Sequence, residues 1–151
     1  FSKSYSMTGF RIGYVAAPAD VIDALSKIQS HLTGNVCTFA QYGALTALTL
    51  GEDWLSGRKA ELQQKRDRAY KQVSQMFDCI QPQGAFYLFP DVSSVLKNNE
   101  TAESLARRLL KEAGVAVVPG EAFGMTEHLR ISFAVSDENL QNGLKRIAEV
   151  L

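Results

Sequence analysis

Charge of one sign is what this sequence most plainly lacks. Its 16 lysines and arginines are matched by 16 aspartates and glutamates. Modules that grip nucleic acid carry a basic excess, so polyanion binding is not the main task. Long apolar runs are missing as well. None reaches the roughly 20 residues that a membrane-crossing helix needs, and the opening residues show no basic stretch leading into an apolar one. Cysteine is scarce, and the two present, Cys37 and Cys79, stand far apart. That spacing excludes a disulfide framework and a cysteine-paired metal site, and reads as reduced intracellular thiols. His31 and His128 have no partner pattern for metal or catalysis, so no metal is expected. Internal repeats and low-complexity stretches are absent too. What remains is an ordinary globular mixture, 46% hydrophobic and 21% charged over 151 residues, long enough for a real apolar core. The expected setting is cytoplasmic, with neither nucleic acid nor membrane as partner.

The local patterns predict an α/β chain. "RIGYVAA" (11–17) is a β-prone run ended by Pro18 and reads as a strand. "PADVIDALSKIQSH" follows, with Val21, Ile22, Leu25 and Ile28 at helical spacing. "TFAQYGALTALTL" is an apolar, alanine-rich helix expected to be well buried. Gly51 and Asp53 suggest a stop and a new cap, and a long charged helix is predicted from Trp54 to about Phe77. Its charges read as a solvated face. Beyond it come an aromatic strand "GAFYLFPDV", a capped helix "TAESLARRLLKEAG" closed by Gly114, and a strand "VAVVPG" stopped by Pro119-Gly120. A strand "HLRISFAV" and a C-terminal helix capped by Ser136 or Asp137 complete the chain. Strand, helix, strand, strand, helix is a two-layer arrangement. Phe86, Tyr87 and Phe89 read as core and rim, because no basic residues interleave with them; Gly120 and Gly124 read as turn residues.

The opening stretch carries the chemistry. In "FSKSYSMTGFRIGY", Lys3 and Arg11 stand eight positions apart. A lysine amine can condense with an aldehyde once it has lost its proton, which burial or neighbouring cations ease. A guanidinium stays charged and clamps a phosphate with parallel hydrogen bonds. Together the two side chains could hold both ends of a phosphorylated aldehyde.

The string "SKSYSMTGFRIGY" closely resembles the active-site lysine segment of the class I aminotransferases, fold type I enzymes dependent on pyridoxal phosphate. Ser2, Lys3, Thr8, Gly9, Phe10, Arg11, Ile12, Gly13 and Tyr14 all fall on the pattern. "NVCTFAQYGALTAL", "PQGAFYLFPDVS", "VAVVPGEAFG" and "HLRISFA" resemble further segments of that family in the same order, and the details are most similar to the bacterial aspartate aminotransferase branch. The resemblance implies that Lys3 joins the cofactor aldehyde and later shuttles the proton, and that Arg11 binds the cofactor phosphate. Ser2 is a weaker candidate for the same phosphate cup. It implies that Arg130 grips the substrate α-carboxylate, and it makes Asn35 a candidate near the substrate and a dimer interface. The implied substrates are an amino acid, aspartate among the candidates, and a 2-oxo acid; branches acting on alanine, aromatic or other amino acids share these same segments.

The implied fold is the C-terminal part of an aminotransferase large domain joined by a long helix to a small two-layer α/β domain. Its expected divisions are a large-domain portion at 1–52, a bridging helix at 53–75 and the small domain at 76–151. The family's lysine lies past the middle of the chain, so the sequence reads as a C-terminal portion of a homodimeric enzyme, inactive alone and without several of the cofactor's contacts. Two alternatives stay open: the aminotransferase-like effector domain of a transcriptional regulator, or another fold type I activity such as a lyase or synthase.

Overall fold

Pro18 cannot donate a backbone hydrogen bond, and the first long helix starts directly behind it. The computed structural model, which describes residues 1–151, places α1 at Ala19–Leu32. The N–H groups of Val21 and Ile22 donate to the Pro18 carbonyl, and Thr33 and Gly34 close the far end by donating to Gln29. Gly34 sits at φ +69°, the left-handed conformation glycine adopts without penalty. Helix α2 follows at Thr38–Leu48. The backbone around it divides into two units, Phe1–Arg58 and Lys59–Leu151, and the boundary falls within helix α3, Gly51–Val73.

Three expectations for the first unit are corrected. Residues 11–17 form no strand, because a strand exists only as part of a ladder and nothing within Phe1–Arg58 pairs with it. Helix α2 is not well buried: only Ala40, Ala44 and Ala47 are covered, while Phe39, Tyr42 and Leu45 remain 60–76% exposed. Its covered face is a stripe of small residues, and a Cβ added at Gly43 would lie 2.7 Å from the Phe10 ring. Gly51 does not stop a helix; it opens α3 at φ +77°, three positions before the expected Trp54.

In the second unit the order is β1 (Tyr87–Leu88), α4 (Ala102–Arg108), β2 (Val118–Pro119), β3 (Leu129–Ser132) and α5 (Asp137–Val150). This is the expected strand–helix–strand–strand–helix succession, with strands shorter than the β-prone runs that announced them. The sheet is antiparallel with β3 in the middle, β1 on one side and β2 on the other. Thr101 caps α4 by accepting from the Ser104 N–H, while the Ser104 hydroxyl oxygen accepts from the Thr101 N–H, the reciprocal arrangement of a capping box. The helix continues as one π-helical turn, Leu109–Ala113, and ends at Gly114 with φ +62°. Ser136 caps α5 by accepting from the Asn139 N–H.

The core belongs to this second unit. Leu88, Val92, Leu105, Leu109, Leu129, Phe133 and Ile147 are all essentially solvent-free, and α3 contributes Ala69 and Val73. Two-residue periodicity along β3 turns Leu129 and Ile131 into this core and leaves Arg130 and Ser132 on the opposite face.

Candidate functional site

Lys3 lies in a turn closed by the Tyr5 N–H donating to the Phe1 carbonyl at 3.0 Å. Rings hold the turn in place. Tyr5 stacks on Trp54 with centroids 5.5 Å apart, and Phe1 packs against both Tyr5 and Tyr14 at 5.6 Å. Lys3 is exposed and Ser2 half-buried. A single 3-10 turn, Thr8–Phe10, then leads to Arg11. Arg11 has φ +50°, a left-handed conformation that costs a non-glycine residue about 1–2 kcal/mol. Its Nη1 donates to the Thr8 carbonyl at 3.1 Å, so the exposed guanidinium folds back over its own turn. Strain of this kind collects where a side chain must point in one direction for function.

The donor set fits a phosphorylated aldehyde: a primary amine for the carbonyl carbon, and a permanently charged fork for the phosphate. Asn35 is exposed in the turn before α2 and lines an open cleft of about 610 Å³ with Ile12, Tyr14, Gln41 and Leu45. Lys3 and Arg11 do not line that cleft. Four of the five sequence-predicted residues therefore stand in the first unit, and Arg130 in the second.

Arg130 is half-buried on the sheet face away from the core. Its Cζ lies 4.4 Å from the centroid of the Tyr87 ring and 4.7 Å from that of Phe123. The strand register explains the first contact. Tyr87 is paired with Ser132, so it stands diagonal to Arg130 on the same face, within reach of a long side chain. The second comes from the short 3-10 turn after β2, Gly120–Phe123. The ion pairs of this unit are made by other cations, such as Arg66, Arg68 and Arg108, and none by Arg130.

Tyr87 reads as core and rim because no basic residue interleaves with it in sequence, whereas the cation arrives from the neighbouring strand; nothing in the sequence singles out Phe123. Burial pushes the Cys79 thiol up, away from the thiolate form a nucleophile needs. Hydrogen bonds from Ser93 hold the Asp91 carboxyl below its usual range. No three His, Cys, Asp or Glu side chains are grouped to hold a metal ion.

Comparison with known proteins places the chain in a family. Residues 1–147 match the profile of "Aminotransferase class I and II". The chain is 44% identical to the probable aspartate/prephenate aminotransferase of Aquifex aeolicus, over 100% of this chain and 39% of that protein. It is 39% identical to the aspartate aminotransferase of Geobacillus stearothermophilus, over 97% of this chain and 38% of that one. Among solved structures, the Rhizobium meliloti aspartate aminotransferase superposes with a TM-score of 0.91 at 37% identity, covering 99% of this chain and 40% of that one. The aromatic aminotransferase from Pyrococcus horikoshii gives 0.91 at 36% identity, over 100% and 41%. The α/β architecture is thus that of aminotransferases. The chain belongs to the class I and II aminotransferase family, and it spans about two fifths of the length of the relatives it matches.

Proposed function

We propose that this chain is the C-terminal part of a pyridoxal phosphate-dependent aminotransferase, which moves an amino group between an amino acid and a 2-oxo acid. The observation that carries the reading is the pairing of Lys3 with a strained Arg11 on either side of one 3-10 turn, within a family match running from residue 1 to residue 147. Aspartate as amino donor, a homodimeric whole protein and a cytoplasmic setting are carried over from the family resemblance.

In this reading Arg11 holds the phosphate through its guanidinium edge, with Ser2 as a further polar group close by in sequence. Pyridoxal phosphate, when bound, supplies an electron sink for negative charge at the substrate α-carbon. Lys3 would hold the cofactor through its amine, and its Nζ would serve as the base that carries the α-proton. Arg130 grips the carboxylate common to both substrates in a two-pronged contact. Fixing the plane of that carboxylate orients the α-carbon bonds, and such orientation is worth several kcal/mol of barrier. Asn35 is assigned to substrate binding within the first unit.

The test is borohydride reduction in the presence of pyridoxal phosphate, applied to the protein with any sequence its gene places ahead of Phe1, followed by peptide mapping. One stoichiometric label at Lys3, lost in Lys3→Ala, is expected. Labelling that is absent or scattered over surface lysines would overturn the assignment.

A further inference from the structure

We propose that Tyr87 and Phe123 are positioning residues for substrate recognition: their rings clamp the Arg130 guanidinium so that its N–H donors are preset for a carboxylate. The inference rests on the reading of Arg130 as the carboxylate-binding group. It adds the device that holds this arginine ready.

An arginine side chain is long and rotamer-rich, and freezing it on ligand binding costs affinity. Proteins commonly fix such a group with a carboxylate partner. Here that would be self-defeating, since a resident carboxylate would occupy the donors meant for the substrate. Arg130 joins none of the ion pairs of its unit. Its guanidinium instead lies over two rings, 4.4 and 4.7 Å from their centroids. A ring face attracts a cation without accepting its N–H bonds. The contact therefore orders the group and leaves the donors available.

Both rings are themselves held. Tyr87 sits in β1 with its backbone fixed opposite Ser132, and its ring packs on Phe86 at 4.3 Å. Phe123 meets Phe89 edge-on at 5.9 Å, and Phe89 in turn packs on His128 at 4.9 Å. The turn carrying Phe123 is pinned at each end by glycine. A Cβ at Gly120 would fall 2.1 Å from the Met125 carbonyl oxygen and 2.7 Å from that of His128. Gly124 takes φ +78°. Phe123 is 47% exposed, so its ring contributes little to the core and its placement over Arg130 calls for another explanation.

The experiment is steady-state kinetics of the whole, cofactor-loaded enzyme carrying Phe123→Leu, Tyr87→Leu, Tyr87→Phe or Arg130→Lys. Titration calorimetry of a simple 2-oxo acid binding to the cofactor-free protein serves as a second readout. Each leucine variant should raise KM for both the amino acid and the 2-oxo acid by about 5- to 10-fold, with kcat within about 2-fold of the parent. The calorimetric Kd should rise in parallel. Tyr87→Phe keeps the ring and should restore parental values. In an Arg130→Lys background the leucine substitutions should add little, because coupled residues are non-additive. If Arg130→Lys raises KM while Phe123→Leu leaves it unchanged, the clamp is wrong and the carboxylate assignment stands. If Arg130→Lys itself leaves KM and Kd unchanged, the carboxylate assignment falls and the clamp with it. Should Tyr87→Leu fail to fold, the exposed Phe123 alone decides.

Discussion

At the scale of single residues, two positions show how different reasons lie behind similar letters. Gly120 and Gly124 both read as turn residues in the sequence, but only Gly124 is required by a positive φ. Gly120 is required because backbone oxygens of Met125 and His128 leave no room for a Cβ. Gly120→Ala should therefore cost about 1–3 kcal/mol, since backbone must move to admit the methyl group; a denaturation midpoint unchanged from the parent would show that the turn yields freely. Glu100 and Arg108 form the other test. Arg108 Nε donates to Glu100 Oε1 at 2.9 Å and Nη2 to Oε2 at 3.1 Å, with side chains only 11–13% exposed. Arg108 Nη1 also donates to the Val150 carbonyl. The hydrogen bonds from Arg108 hold the Glu100 carboxyl below its usual range. A depressed carboxyl pKa means the folded state binds its proton less readily than the unfolded chain does. The resulting stability is fully present above the ordinary glutamate value of about 4.3, and it is lost as pH falls through the lower folded value. Glu100→Gln should destabilise the protein by about 2 kcal/mol at neutral pH and flatten the fall in stability below pH 4. An acid limb equally steep in the variant would assign that fall to other carboxylates.

At the scale of elements, helices were legible because their signals are local. Ser136 before Asp137, Thr101 before Ala102 and Gly114 after Ala113 all lie within one turn of the boundary they set. Ser136→Ala should cost about 1 kcal/mol in chemical denaturation, and Ser136→Asp should restore it; equal losses in both would mean the hydroxyl is not what holds the first turn. Strands were less legible, since their extent depends on partners distant in sequence. The run at 11–17 has β-prone residues and no ladder, and "GAFYLFPDV" yields only Tyr87–Leu88. The same limit hid the aromatic setting of Arg130. "HLRISFA" pointed to the arginine, but the rings over it are set by β1–β3 register and by the turn after β2, neither of which can be read along one strand. Lys3 and Arg11 were singled out through a family resemblance carried by one short segment, which needs no knowledge of distant contacts. The left-handed backbone of Arg11 was not legible, because nothing in its letter signals a positive φ.

At the scale of the whole chain, the two units differ in how much of their own apolar surface they cover. Every member of the buried core cluster lies between Ala69 and Ile147, inside Lys59–Leu151. In Phe1–Arg58 the buried apolar residues are Met7 and three alanines, while Tyr14, Leu32 and Phe39 stand about three-quarters exposed. Burial of apolar area is the main favourable term in folding, and it must offset roughly 1–2 kcal/mol of backbone entropy for each residue ordered. A few alanines cannot meet that cost for a segment of this length. A core of leucines, valines and two buried phenylalanines, with two capped helices on a three-stranded sheet, can. The piece 59–151, made alone, should therefore show helical circular dichroism and a single cooperative unfolding transition. The piece 1–58 should show neither, and should bind a hydrophobic dye. If 1–58 folds cooperatively by itself, its turns and stacked rings stabilise far more than their burial indicates, and the Lys3–Arg11 segment is preformed. If 59–151 fails to fold, the Arg130 clamp depends on the first half of the chain for its very shape.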